Sequence, residues 1–428
     1  MIVSRRRFLG MCAAAPFAAA QDIQVRPRPP AAQVLRADER ERVGRAQFAY
    51  LRRDFPDLRR HFVFEYYPWY GLSPFRHWED PGFDPPVDIT SRCMPLLGAY
   101  DSRDAATLER HARWIADAGV GAINVSWWGR DSYENAAVPL LMDVMRAHDI
   151  HVTFHLEPYA DDRGTRYASD ILYLLREYGE RRRWDALLLL ANADGKVGPV
   201  FKSFGTILPP QSTDCHGVTA PVPNYVNNQD WHRQTDLVRE TVRDDFDHVT
   251  LLADTLDPAR AQAGGFDGIA VYDPYVEPSS WPNVAAGMSS ANLVFSFNIN
   301  PGFDRFAPRV IDAGSCYRQP PFEPPTRSLD FSLPQDRALA MSLGQGRIED
   351  SFGTTIVLQT DPALANRHRG FFLVFVNSFN EWHEGHEFEP MKNFGDLTPA
   401  ERRVGYHNAD DGSYRLQTLK RLLEPVIG

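Results

Sequence analysis

The sequence predicts a single (β/α)8 barrel, and two observations lead there. From residue 61 onward, apolar or aromatic runs recur eight times, at 61–70, 121–128, 151–159, 197–204, 248–254, 268–275, 293–300 and 371–380. Most are continuous rather than alternating, as expected of strands covered on both faces of a parallel sheet. Helical patterns lie between several of them, and strands alternating with helices in this number point to a closed barrel. A doubly wound open sheet is the rival. It would usually carry a Gly-rich turn after its first strand. Here the first run ends Tyr66-Tyr67-Pro68-Trp69-Tyr70-Gly71, which cradles no phosphate.

Along the chain, Ser4-Arg5-Arg6-Arg7-Phe8-Leu9 precedes an Ala-rich apolar run over 10–20, too short for a stable membrane helix. The paired arginines and Ala18-Ala19-Ala20 predict a twin-arginine-type signal peptide at 1–20, hence export to the periplasm or beyond with no membrane anchor after processing. Residues 21–60 read as a Pro-rich linker and an N-terminal amphipathic helix over 34–55, carrying Leu35, Val43, Phe48, Leu51 and Phe55. Residues 61–428 form the barrel. Its helical patterns fall at 103–118, where Leu108, Ala112 and Ile115 share a face and Gly119 stops the run, and at 138–148, 168–183, 231–246 and 414–423. The Pro-rich stretch 303–336 is expected to decorate one barrel mouth as a lid.

Composition narrows the function. The 428 residues carry 46 Lys+Arg against 56 Asp+Glu, a net charge of −10, and nothing in that balance suggests a nucleic-acid or anionic-lipid partner. Nine Trp and sixteen Tyr fit a sugar-binding cleft, though core packing is the commoner use of aromatics. Cys12 would leave with the signal. Cys93, Cys215 and Cys316 then allow at most one disulfide and no cysteine-ligated zinc.

In such a barrel, chemistry gathers where the strands end. The third run ends His155-Leu156-Glu157-Pro158-Tyr159 and the sixth holds Tyr272-Asp273-Pro274-Tyr275. The eighth ends Asn377-Ser378-Phe379-Asn380-Glu381-Trp382-His383-Glu384-Gly385-His386. The first two finish in the aromatic clusters Tyr66 to Tyr70 and Trp127-Trp128, and at least one of these tryptophans is expected to face the mouth. Glu381 and Glu384, straddling a Trp, can point into one pocket. Paired carboxylates are what glycosidic cleavage requires, one acid for the leaving oxygen and one base or nucleophile at the sugar. The segment also fits a solvated turn whose acids cap a following helix. A metal set of Glu381, His383 and His386 is a third reading, without any HExxH pattern to support it. Glu157 alone is ambiguous, since a Glu before Pro can simply orient a loop.

Taken in order, these segments resemble glycoside hydrolase family 99, the endo-α-1,2-mannosidases and endo-mannanases. The resemblance is carried by Tyr66 to Gly71 with His77-Trp78, by Pro85-Pro86-Val87-Asp88-Ile89, and by Gly98-Ala99-Tyr100-Asp101-Ser102-Arg103-Asp104. It continues through Ser126-Trp127-Trp128, Phe154 to Tyr159, Gly265-Phe266-Asp267-Gly268-Ile269, Asn300-Pro301-Gly302 and Ser378 to Gly385. The resemblance implies a (β/α)8 barrel and retaining, endo-acting cleavage of α-mannosides, with neither metal nor cofactor. Glu381 would deprotonate the sugar's own 2-hydroxyl, which closes onto C1 as a 1,2-anhydro sugar. Glu384 would protonate the leaving oxygen and later deprotonate the attacking water. Glu157 would bind the sugar in the cleaved subsite. Tyr66 or Tyr67, Trp127 or Trp128, Tyr159, Tyr272, Asn380 and His383 would contact substrate.

The chain departs from the family pattern at three places. Phe201-Lys202-Ser203-Phe204 stands where Tyr-Asp-Ser-Tyr is frequent, Gly385-His386-Glu387 where Gly-Thr-Gln is common, and Val87 where an acid is usual. The expected protein is therefore an exported, monomeric endo-α-mannosidase whose partner is an α-mannoside oligosaccharide or polysaccharide. A non-catalytic glycan-binding barrel, a retaining enzyme for another α-glycan and a metal-dependent hydrolase are the alternatives. Turnover abolished by either Glu→Gln change, the products from a glycan panel and sensitivity to chelator would separate them.

Overall fold

The computed structural model describes residues 37–159, 162–273, 276–317 and 327–428. The expected signal peptide and Pro-rich linker lie outside these described residues. Eight strands follow one another as β1 Phe62–Tyr66, β2 Ala122–Trp127, β3 His151–Leu156, β4 Val197–Ser203, β5 Thr250–Ala253, β6 Gly268–Ala270, β7 Val294–Ser296 with Asn298–Ile299, and β8 Val374–Val376. Each lies inside an expected run. Each is shorter than its run, because the apolar and aromatic residues continue past the strand end into the loops of the mouth.

All consecutive pairs are parallel, from β1 with β2 round to β6 with β7. The seventh strand breaks at Phe297. Its first half pairs with β6 (Ala270 opposite Ser296) and its second half with β8 (Ile299 opposite Val376). Since β8 also pairs with β1 (Phe64 opposite Val376), the ring closes. This is a (β/α)8 barrel.

A helix follows every strand. These are α2 Ala105–Asp117, α3 Tyr133–Ala147, α4 Arg163–Leu174, α5 Asn228–Val242, α6 Pro258–Ala263, α7 Trp281–Ser290, α8 Pro334–Thr360 and α9 Tyr414–Ile427. The expected N-terminal helix precedes them as α1, Ala37–Asp54. Helix starts are set by side-chain caps: Asp104 accepts from Thr107 N, Ser132 from Asn135 N and Asn227 from Asp230 N. Thus α3 begins five residues before the apolar pattern suggests. Helix α8 gave no sequence signal, because polar residues such as Arg347, Ser351, Thr355 and Gln359 share its buried side with apolar ones.

Two mouth loops are joined covalently. A hairpin of Gln211–Thr213 and Thr219–Pro221 follows β4, and its Cys215 is disulfide-bonded to Cys316 in the loop after β7. His216 Nε2 also lies 3.0 Å from Gly314 O. Cys93 is a buried free thiol.

Candidate active site

Side chains alternate across a strand, so each strand sends every second residue into the barrel. On β1, Phe62, Phe64 and Tyr66 pack in the core shared with the helices, whereas Val63 faces inward with Ala122, Val200, Leu252, Ala270 and Phe375. The next inward layer is polar. Glu65 Oε1 accepts from Lys202 Nζ at 2.6 Å, and its Oε2 accepts from Asn124 Nδ2 at 2.9 Å and lies 3.1 Å from His155 Nδ1. Burial pushes the Glu65 carboxyl up, but Lys202 and His155 together outweigh it and hold the group at about 2.

One layer higher, the same parity brings up Tyr67, Trp128, Glu157 and Tyr272. Tyr67 donates its hydroxyl to Tyr272 Oη at 2.8 Å, and Tyr272 donates to Glu384 Oε2 at 3.0 Å. Ser126 Oγ donates to Glu157 Oε1 at 2.7 Å and accepts from Trp128 Nε1 at 3.0 Å. The Tyr67 phenol is pushed well above its ordinary range, by burial first and then by Glu65, Glu381, Glu157 and Glu384 in that order. The acids that act on it come from β1, from the end of β3 and from the turn after β8.

That turn is braced on all sides. Glu381 N donates to Ser378 Oγ at 2.8 Å. His386 places Nδ1 3.1 Å from the same hydroxyl and Nε2 2.8 Å from Glu384 Oε2. Asp304 N and Phe306 N donate to the carbonyls of Glu384 and His383 at 3.0 Å each, so the start of the loop after β7 lies against the turn. This approach is why residue 385 is Gly: its φ is +71°, and a Cβ there would lie 2.1 Å from Asp304 O. From α9, Arg415 donates to the carbonyls of Gly385 and Glu387 and to Glu387 Oε1.

Not every expected contact residue reaches this cleft. Tyr66 faces outward, its hydroxyl 2.9 Å from His111 Nδ1 on α2. Trp127 also lies in the helix layer, donating Nε1 to Asn135 Oδ1 at 2.8 Å, so Trp128 is the member of the pair at the mouth. Tyr159 packs edge-on against Trp127 and donates its hydroxyl to Asp170 of α4. Asn380 is committed within the fold, accepting from Tyr67 N at 2.8 Å and donating to Tyr67 O at 3.1 Å and to Tyr100 Oη at 3.2 Å. His383 sets Nε2 on His77 O, with Nδ1 3.4 Å from Glu381 Oε1. Glu381, His383 and His386 do not converge as a ligand set. Among the described residues, the one compact group of His, Cys and acids is Cys215, His216 and Cys316, and its two sulfurs are bonded to each other.

Glu65, Asn124 and Lys202 are not among the expected site residues, and His386 is expected only as a metal ligand. Also missed is Asp254 at the end of β5, which accepts from Tyr272 N at 3.3 Å and whose carboxyl burial raises. The available signal was polar residues at the inward parity of otherwise apolar runs.

Three carboxylates and several aromatics gathered at the C-terminal mouth of a (β/α)8 barrel are the architecture of a glycoside hydrolase. The model of glycosyl hydrolase family 99 matches residues 58–187. The glycoprotein endo-alpha-1,2-mannosidase of Mus musculus is 24% identical over 359 residues, covering 76% of this chain and 66% of that protein, a little under two thirds of its length. The glycoprotein endo-alpha-1,2-mannosidase-like protein of Homo sapiens is 26% identical over 395 residues, covering 85% of this chain and 75% of that one. The fold is shared with the GH99 endo-alpha-mannosidase of Bacteroides thetaiotaomicron, at TM-score 0.60 and 20% identity over 87% of this chain and 98% of that one. The family model, the relatives and the solved structure all support a likeness to glycosyl hydrolase family 99.

Proposed function

We propose that this protein is an exported, retaining endo-α-mannosidase that hydrolyses internal α-mannosidic linkages of mannan or N-glycan-type oligosaccharides. The observation that supports the reading most is the hydrogen-bonded run from Tyr67 through Tyr272 to Glu384, on the same short turn as Glu381. In this reading Glu381 removes the proton from the mannose 2-hydroxyl, whose oxygen attacks C1 of the same sugar as the glycosidic bond breaks. Glu384 gives its proton to the departing oxygen. A water then opens the anhydro sugar at C1, surrendering a proton to Glu384, while the 2-oxygen recovers one from Glu381. Two inversions at C1 give net retention. Glu157, braced by Ser126, holds the sugar in the cleaved subsite, and Trp128 offers the ring face beside it.

The test is turnover of an α-mannan by the processed protein and by Glu381→Gln and Glu384→Gln, both of which should abolish it. A 2-deoxy or 2-fluoro substrate should bind without turning over and leave no adduct. A sugar covalently attached to Glu381 in the mass spectrum would overturn the anhydro-sugar route. Export is tested by replacing Arg5 and Arg6 with Lys, which should leave unprocessed protein in the cytoplasm; normal processing would remove the twin-arginine claim.

A further inference from the structure

We infer that His386 is a positioning residue for Glu384, fixing its carboxylate through Nε2 and favouring the ionised form. The inference rests on the proposed acid and base role of Glu384. It concerns a position where this chain departs from the family pattern.

Hydrogen-bond direction carries the argument. Ser378 Oγ accepts from Glu381 N–H, so its own proton is free to point at His386 Nδ1, 3.1 Å away. An imidazole accepting at Nδ1 bears its proton on Nε2. That N–H then donates to Glu384 Oε2 at 2.8 Å. Tyr272 donates to the same oxygen and accepts from Tyr67 in turn. Each member from Tyr67 to Ser378 thus donates in one direction, and Glu384 Oε2 is the acceptor at which the two arms meet. His386 is fully buried, so the N–H does not alternate with water as partner.

The sign of the electrostatic effect follows from what surrounds the pair. On its own turn Glu384 has Glu381, and from β1 and β6 it has the neutral phenols of Tyr67 and Tyr272. His386 also acts on Glu387, which is answered by Arg415 from α9 and opposed by Asp304 from the loop after β7. Among acids, a buried N–H donor to Oε2 favours the carboxylate, so removing it raises the proton affinity of Glu384. A threonine hydroxyl, sitting on Cβ, extends less far than Nε2 of an imidazole.

The experiment compares pH–rate profiles of wild type, His386→Leu, His386→Thr and His386→Gln on an α-mannan. The alkaline limb of kcat/KM reports the acid that must be protonated. His386→Leu and His386→Thr should move that limb up by about one pH unit and lower kcat about tenfold, as expected for a lost hydrogen bond to a charged group. His386→Gln, whose amide still donates, should keep the limb near wild type. On an aryl α-mannobioside with a good leaving group, adding His386→Leu to Glu384→Gln should cost nothing further. An unmoved limb in a folded Leu or Thr variant, or an equal loss in the Glu384→Gln background, would overturn the inference. If the Leu variant fails to fold, Thr against Gln decides. Full mannan turnover by Glu384→Gln would instead remove the acid role itself, and the inference with it.

Discussion

Lys202→Met would take the cation away from a carboxylate that is fully enclosed. Lys202 Nζ and Glu65 Oε1 are 2.6 Å apart with side chains 0% and 1% exposed. Removing one partner of a buried pair costs about 3–5 kcal/mol, and the remaining hydrogen bonds to Glu65 argue for the lower end, about 3 kcal/mol. For a chain of this size the unfolding entropy is roughly 0.8 kcal/mol per kelvin, so the melting temperature should drop by about 4 °C. Acid provides a second readout. Glu65 titrates at about 2 in the folded protein against an ordinary 4.5. The unfolded chain therefore takes up this proton first. The stability that the carboxylate contributes is complete above pH 4.5 and is lost as pH falls from there toward 2, a difference of about 3 kcal/mol. Lys202→Met should flatten that part of the stability profile, and Glu65→Gln with Lys202→Met should melt higher than Lys202→Met alone. Thermal unfolding followed by circular dichroism across pH measures both. A single variant melting within about 1 °C of wild type, with its acid profile unchanged, would rule out this role for the pair.

Other outcomes follow from the same geometry. Trp127→Ala should lower stability by about 3–5 kcal/mol as a core truncation, whereas Trp128→Ala should leave melting nearly unchanged and raise KM about tenfold. Glu384→Gln should lose about 10²–10⁴-fold on mannan but far less on an aryl substrate with a good leaving group, while Glu381→Gln should lose on both; steady-state kinetics separates them. In unreduced, denatured protein, alkylation should modify Cys93 and spare Cys215 and Cys316, and peptide mapping reads which thiols reacted.

The fold was legible because strands buried on both faces are largely apolar, and most of the eight runs stood out on that ground. Strand parity was also written in the sequence, though less visibly. Glu65, two residues before Tyr67, and Asn124 and Ser126, in step with Trp128, mark the inward face, and this selects Tyr67 and Trp128 over Tyr66 and Trp127. Three features lay beyond local patterns. Helix α8 has only a narrow apolar row, Ile348, Phe352 and Ile356, beside buried polar residues such as Arg347, Ser351 and Thr355. The Cys215–Cys316 bond depends on two loops 101 residues apart meeting at one mouth. Asn380 and His383 look like ligands in a motif rich in acids, and only the folded surroundings, Tyr67 and Tyr100 for the one and His77 and Thr90 for the other, show what they hold.

Internal cleavage of an α-mannoside by Glu381 and Glu384 is the proposal on which the others depend. Incubating the processed protein with α-mannans and α-glucans, and sizing the products by chromatography, tests it most directly. Mannan should give mannose oligosaccharides, and none when Glu381 is replaced by Gln. Release of monosaccharide alone, or oligosaccharides still released by Glu381→Gln, would contradict it.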